Sequence, residues 1–316
     1  MENDLLISIC VPAFNCGKFI AETLRCLCDQ TYRHIEIIVV NDGSTDDTAS
    51  IVEANKNLRI SLINVTNGGA AKARNIAYQH SKGSYIVFFD ADDFVGEDFI
   101  AAQFRSLGGR TDCIAVSGWG RFYQDNASDF RPAEERIDHP HTLEEWIVTY
   151  WYRGQHNTPP GRLFIPREII RQAGPWNEEL TLNDDFEFFT RIALRASLII
   201  PNPAALYYYR TGINGLSAQK NEQAYLSLFK SMEMSFDRAI KRFKGNDAVK
   251  RSCANLWQSF IYEVYPQLPD KRSVAENAVH ALGGSNLSYP AGGLTRLLAK
   301  LFGWKTAKRF KMLLKK

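Results

Sequence analysis

No two cysteines in this 316-residue chain stand at the CxxC spacing of a zinc or dithiol site. The six present are Cys10, Cys16, Cys26, Cys28, Cys113 and Cys253. Several fall inside apolar strand or helix patterns, which suits reduced, buried thiols in a cytosolic protein. No apolar run approaches the roughly 20 residues that span a bilayer. The first residues, Met1-Glu-Asn-Asp4, are acidic and lead straight into a strand pattern, unlike a signal peptide. There is no internal repeat and no low-complexity tract. The familiar phosphate-binding loops are missing too: no GxGxxG follows the first strand, and GxxxxGK(S/T) occurs nowhere. A formal net charge of +3 gives no reason to expect a nucleic-acid partner. With 45% hydrophobic and 23% charged residues, what remains is an ordinary globular chain, long enough for one large domain and an appendage.

The most informative stretch is Tyr85-Ile-Val-Phe-Phe-Asp90-Ala-Asp92-Asp93. Its uncharged run, following the Lys82-Gly83-Ser84 turn, reads as a buried parallel strand. The run stops at a cluster of carboxylates. Ligands of open α/β sheets bind just beyond the carboxyl ends of such strands. Two carboxylates flanking one small residue repel each other unless a cation lies between them. Hard oxygen donors in that position suit Mg2+ or Mn2+, which complete their shells with phosphate oxygens. The reading is a site for a metal and a phosphorylated ligand, with a solvated acidic loop as the alternative.

Strand patterns at residues 5–11 and 35–40 are stopped by Pro12 and by the Asn41-Asp42-Gly43-Ser44 turn. Helical spacing occurs at 19–28, after Thr45 as N-cap, at 70–80 and from about 98 to 107. Residues 60–65 and 113–118 add strands. This alternation implies an α/β fold, a Rossmann-like, mostly parallel sheet with flanking helices. Asp42 and Asp90 then both stand at strand ends and can face one cleft. Arg74 lies near a helix N-terminus, where a cation opposes the macrodipole. It reads either as a phosphate or nucleotide contact or as a surface cation.

Beyond residue 119 the pattern weakens. Residues 141–151 look helical, 162–166 extended, and 167–173 helical up to Gly174-Pro175. His139, His141 and His156 lack ligand spacing and read as surface or packing residues. A helix beginning near Asp184 has Phe186, Phe189 and Ile192 at buried spacing, with Asp184 and Asp185 in its first turn. Segments 197–200 and 206–210 read as separate extended pieces, and 224–243 and 254–265 as amphipathic helices.

Five pieces now stand in order: Val11-Pro12-Ala-Phe14-Asn15, Val40-Asn41-Asp42-Gly43-Ser44-Thr45-Asp46, Gly69-Ala-Ala-Lys72-Ala-Arg74-Asn75, Phe89-Asp90-Ala91-Asp92-Asp93 and Asn183-Asp184-Asp185. In that order and spacing the chain resembles the family 2 inverting glycosyltransferases of the GT-A fold, over about residues 5–215. The resemblance implies a catalytic domain at 1–215 and a helical region at 216–316. It places Pro12, Phe14 and Asn15 at the nucleotide-base pocket, Asp42 as acceptor of a hydrogen bond from the base, and Arg74 near base and phosphates. Asp90 and Asp92 match the DxD pair, with Asp92 as metal ligand and Asp90, beside Ala91, near the ribose. Asp185 matches the catalytic base. Asp184, in a supporting role, stands where the family has Glu. Arg210 and the loop after it match a segment that closes over the pyrophosphate, and Gly212 stands where many relatives carry a histidine. The implied reaction is non-processive transfer of a sugar from a nucleoside diphosphate sugar, a UDP-sugar by the family's habit, to a hydroxyl of a glycan or lipid-linked acceptor. It is a single displacement that uses Mg2+ or Mn2+.

Three rivals fit less well. A processive synthase would carry QxxRW and transmembrane helices, whereas Gln172-Ala-Gly-Pro-Trp176 has the wrong spacing and no arginine. A sugar nucleotidyltransferase would need a Gly-rich, Arg-containing loop where Asn15-Cys16-Gly17-Lys18 stands. A non-catalytic sugar-nucleotide-binding protein would have no use for both Asp92 and Asp185. The tail after Leu294 is apolar and basic, with no carboxylate beyond Glu276. It reads either as a monotopic anchor on an anionic membrane, with Trp304 at the interface, or as a docked terminal helix. The expected location is cytoplasmic, peripheral at the inner face of the membrane if the tail is an anchor.

Overall fold

The computed structural model describes residues 5–124, 126–155, 158–213, 215 and 220–314. The chain forms two compact units, residues 1–146 with 157–235, and residues 147–156 with 236–316. The first unit begins with β1 (Ile7–Ala13), α1 (Gly17–Cys28), β2 (Ile35–Asp42), α2 (Thr48–Ala54), β3 (Ile60–Val65), α3 (Ala70–His80) and β4 (Tyr85–Phe88). Nearly every residue of β1, β2 and β4 is buried, so these strands read as continuous apolar runs rather than as alternation. β1 pairs in parallel with both β2 and β4, and β2 with β3. In the resulting order β3-β2-β1-β4, the direction of winding reverses between β1 and β4. Their carboxyl ends therefore flank a topological switch point, where such sheets bind ligands. Pro12 lies at the end of β1, and Asp90 lies two residues past β4.

The chain continues through β5 (Phe94–Val95), α4 (Phe99–Leu107), β6 (Ile114–Tyr123), β7 (Asn126–Pro132), α5 (Leu143–Thr149), β8 (Leu163–Pro166), α6 (Arg167–Ala173), α7 (Asp184–Ala193) and β9 (Ile199–Thr211). β8 runs antiparallel between β4 and β6, β9 lies parallel to β6, and β5 antiparallel to β9. All six cysteines are free, and most are buried.

Several boundaries differ from the sequence reading. The two extended pieces at 197–200 and 206–210 are one strand, β9. The ladder skips residues 203–205 between Ser117 and Gly118, a bulge that accommodates Pro203 and breaks the pattern. α2 starts at Thr48, because the Asp46 carboxylate, not Thr45, accepts the Thr48 N–H at 3.0 Å and its hydroxyl at 2.5 Å. β7, solvent-exposed along nearly its whole length, has no apolar face to announce it. His141 is buried and stacks on Trp146, while His139 is exposed beside Glu145. His156 lies outside the described residues.

The second unit holds the end of α8 (Glu222–Arg242), then α9 (Asp247–Val264), α10 (Pro269–Ala281), α11 (Gly293–Phe302) and α12 (Trp304–Leu313). Its core is aromatic: Phe236 packs against Trp151 and Trp257, and Trp257 against Phe260. The units part at 235 rather than at 215 because the first turns of α8 belong to the α/β unit. There the Ser227 hydroxyl accepts the N–H groups of Thr181 and Leu182, and Ser231 donates to the Asn183 carbonyl at 2.5 Å. Among the described residues no helix is long and apolar enough to cross a membrane.

Candidate active site

The turn after β4 is held from several sides. The Phe89 N–H donates to the Cys10 carbonyl, and the Thr23 hydroxyl of α1 lies 3.0 and 2.9 Å from the carbonyls of Ala91 and Asp93. Asp93 is buried, and its carboxylate accepts the Tyr207 hydroxyl at 2.5 Å and the Arg210 N–H at 2.6 Å. It anchors β9 to the turn instead of facing a ligand. Tyr207 reaches it because residue 161 is glycine: a Cβ there would stand 2.2 Å from the tyrosine ring. Arg210 is buried as well. Its guanidinium donates at 2.6 Å to the Asp92 carbonyl, the Gln124 carbonyl and the Glu22 carboxylate, and lies 4.6 Å from the ring centres of Phe19 and Phe122. Gly212 has a φ of +79°, and a Cβ on it would collide with the Tyr123 ring.

Asp92 stays partly open to solvent in this crowded turn. Burial pushes its carboxyl up to about 7, and the Asp90 charge adds to the rise. Asp90 itself is paired. Arg74, buried on α3, donates to Asp90 through Nη2 and to Asp184 through Nη1, both at 2.8 Å. One guanidinium thus ties the end of β4 to the first turn of α7. Aromatic packing fixes the same junction. Trp176 stacks on Phe188 of α7 with ring centres 4.0 Å apart, both meet Phe88 of β4 edge-on, and Arg74 lies 4.5 Å over the Trp176 ring. Asn75, next on α3, exchanges hydrogen bonds with the Trp176 backbone and donates to Glu178.

The sequence-predicted base, Asp185, lies beside Asp184 in the first turn of α7. Phe186, Phe189 and Ile192 below it are buried, as the helical spacing requires. The Asp185 carboxylate accepts the Phe186 N–H at 2.8 Å. Burial, then the neighbouring Asp184 charge, push Asp185 up to about 7. Burial also raises Asp184, against the opposing pull of Arg74. A carboxylate poised near neutrality can take a proton and still be ionised when needed.

At the other strand ends, Phe14 is half-exposed past β1 and offers an open aromatic face. Asn15, with a φ of +46°, accepts the Thr45 N–H at 2.8 Å and so ties the loop after β1 to the loop after β2. Asp42 is buried. Its two oxygens accept the N–H groups of Gly68 and Gly69, each at 2.8 Å, fixing the turn that leads into α3.

A model of the family described as Glycosyl transferase family 2 matches residues 8–169. The chain belongs to glycosyl transferase family 2. Its curated relatives include the glycosyltransferase GlyG of Streptococcus pneumoniae, 36% identical over 54% of this chain and 51% of GlyG. The uncharacterized glycosyltransferase EpsJ of Bacillus subtilis is 30% identical over 67% of this chain and 63% of EpsJ. The chain thus spans about half to under two thirds of those relatives. A 90-residue stretch is 47% identical to WfaP of Escherichia coli, a UDP-Glc:alpha-D-GlcNAc-diphosphoundecaprenol beta-1,3-glucosyltransferase; it covers 28% of this chain and 36% of WfaP. Among solved structures, S. aureus TarS 1–349 in complex with UDP-GlcNAc has the same fold, with a TM-score of 0.71 over 88% of this chain and 82% of that one at 18% identity. The fold is that of the GT-A glycosyltransferases.

The family 2 chain offers a cation only oxygen donors at this turn. Among the described residues no three His, Cys, Asp or Glu side chains are assembled to hold a metal. Mg2+ and Mn2+ take one or two carboxylates and fill the remaining positions with phosphate oxygens and water, so carboxylates such as Asp92 are the donor class they use. Sequence reasoning assigned no role to Asp93, Tyr207, Trp176, Asn75 or Glu22. No sequence pattern marked them: residues 206–210 read only as an extended piece.

Proposed function

We propose that the chain is an inverting, non-processive glycosyltransferase that moves a sugar from a UDP-sugar to a hydroxyl of a glycan or lipid-linked acceptor. The observation that carries this reading is the Arg74 bridge, which joins the Asp90-Ala91-Asp92 turn to the helix end bearing Asp185. Donor diphosphate and acceptor hydroxyl would then meet within one cleft. Phe14 would stack on the base beside Pro12, with the Asn15 and Asp42 loops forming the wall around it and Asp90 and Ala91 facing the ribose. Asp185 would accept the proton of the acceptor hydroxyl as its oxygen attacks the anomeric carbon. One such displacement inverts that centre, and an oxocarbenium-like transition state needs no enzyme nucleophile. A divalent cation on Asp92 would neutralise charge on the departing diphosphate. UDP-GlcNAc and UDP bound to TarS support the donor class, and the diphosphoundecaprenol acceptor in the WfaP name supports a lipid-linked acceptor.

A panel of nucleotide sugars, read by release of nucleoside diphosphate, tests the proposal. UDP is expected from at least one UDP-sugar, lost in excess chelator and regained with Mg2+ or Mn2+. Asp92→Asn should lose most of that turnover. Full activity in chelator would remove the metal from the proposal. Tight donor binding with no turnover by any acceptor class would make the chain a sugar-nucleotide binder instead.

Asp42→Ala frees two backbone N–H groups as well as the pocket wall. The Kd for UDP is expected to rise by about tenfold or more, in line with unpaired polar groups costing about 1–3 kcal/mol. Calorimetry showing unchanged UDP affinity would take Asp42 out of the base pocket.

A further inference from the structure

We infer that α11 and the exposed end of α12 form a contact surface for an anionic lipid bilayer, held to the second unit by the inner face of α12. α11 has no buried residue. Leu294, Leu297, Leu301 and Phe302 are 60, 53, 62 and 63% exposed. Their spacing puts them on one helix face. Met312, Leu313 and Leu314 extend the apolar area, and more than half of the large exposed apolar side chains of the described chain lie in this tail.

The tail is nevertheless not a loose end. Trp304 packs its ring 4.9, 5.2 and 5.8 Å from those of Tyr262, Tyr265 and Tyr289, Ala307 is fully buried, and Lys308 donates to the carbonyls of Tyr262 and Glu263. Trp304 is therefore an anchor into the protein rather than an interfacial residue, and α12 is the docked helix that one sequence reading expected. α11 is left as the presented face.

Charge selects the occupant. Arg296, Lys300 and Lys311 accompany the apolar side chains, whereas Lys305 pairs with Glu276 at 3.7 Å and Arg309 lies over the Tyr265 ring on the docked side; none of residues 277–316 is acidic. A second copy of this face would bring like charge against like. Anionic headgroups would neutralise it, and Lys and Arg stems can lie along the acyl boundary with their charges in the headgroups. A helix of 10 residues lies in the interface and does not span it.

The test uses the full chain and vesicles of phosphatidylglycerol with phosphatidylcholine, against phosphatidylcholine alone. Co-sedimentation is expected with the anionic vesicles at about 0.05 M salt and release as screening shortens at about 0.5 M. The triple substitution L297Q/L301Q/F302Q removes only exposed side chains. It should lower vesicle affinity by at least about tenfold while the melting temperature stays unchanged. No binding to anionic vesicles, equal binding to neutral ones, or undiminished binding by the triple variant each overturns the inference. So does light scattering that shows a dimer which the triple variant breaks without any lipid binding, because the face then belongs to a second copy.

Discussion

Replacing Asp185 with asparagine is expected to lower kcat by roughly 10²–10⁴-fold while leaving affinity for the nucleotide near that of the parent. Asparagine keeps the shape of the side chain and can still accept the Phe186 N–H that Asp185 accepts at 2.8 Å. What it loses is the capacity to take a proton. Burial and the Asp184 charge push Asp185 up to about 7. A base acts in its ionised form, so kcat/KM should fall as pH drops through about 7 and level off above it. Stability runs the other way. The folded-state value lies above the unfolded one, so the proton bound to Asp185 stabilises the fold fully below about pH 4, and this contribution is lost as pH rises through about 7. Asp185→Asn carries no such charge and should melt no lower than the parent at pH 8. Lost activity with a lowered melting temperature would mean that Asp185 is structural. Parental kcat would move the base elsewhere, with Asp184 the next candidate.

What could be read beforehand was what local pattern encodes. Buried runs ending in turn residues marked the strand ends that carry Asp42 and Asp90, and helical spacing under Asp184 and Asp185 located α7. Partners distant in sequence left no such trace. Arg74 was read as a phosphate or nucleotide contact near a helix start, whereas its guanidinium holds two carboxylates of the protein, 16 and 110 residues away. Position on a helix gives no sign of which groups the fold will bring against it. Arg210 is the same case: the aromatic run around it read as extended, yet its commitment to Glu22, 188 residues away, depends on where β9 pairs with β5 and β6 in the sheet. In the tail, amphipathic spacing was visible throughout, whereas the docking of α12 depends on a cluster of tyrosines on and near α9 that no tail residue reveals.

Arg74→Ala is expected to be the most destabilising single change near the site, costing about 3–5 kcal/mol. Both partners of Arg74 are largely shielded, with side chains 21% and 14% exposed for Asp90 and Asp184, against 8% for Arg74 itself. Removing the cation leaves two carboxylates facing each other across a cavity, with Asp185 adjoining. For the α/β unit the melting temperature should fall on the order of 10 °C. The pH dependence separates this cause from simple loss of packing. Without Arg74 the pull that opposes burial at Asp184 is gone, so its folded-state carboxyl rises further and the variant gains stability as pH falls and this group becomes protonated. Its deficit relative to the parent should therefore shrink between about pH 8 and pH 5, whereas a packing defect would be the same at both. Arg74→Lys keeps a charge but gives up the forked geometry that reaches both partners at once. It should recover part of the stability and little of the turnover, because α7 would no longer be tied to the Asp90-Ala91-Asp92 turn on both sides. Equal activity for lysine and arginine at this position would show that charge alone matters here and that the bridge does not position Asp185.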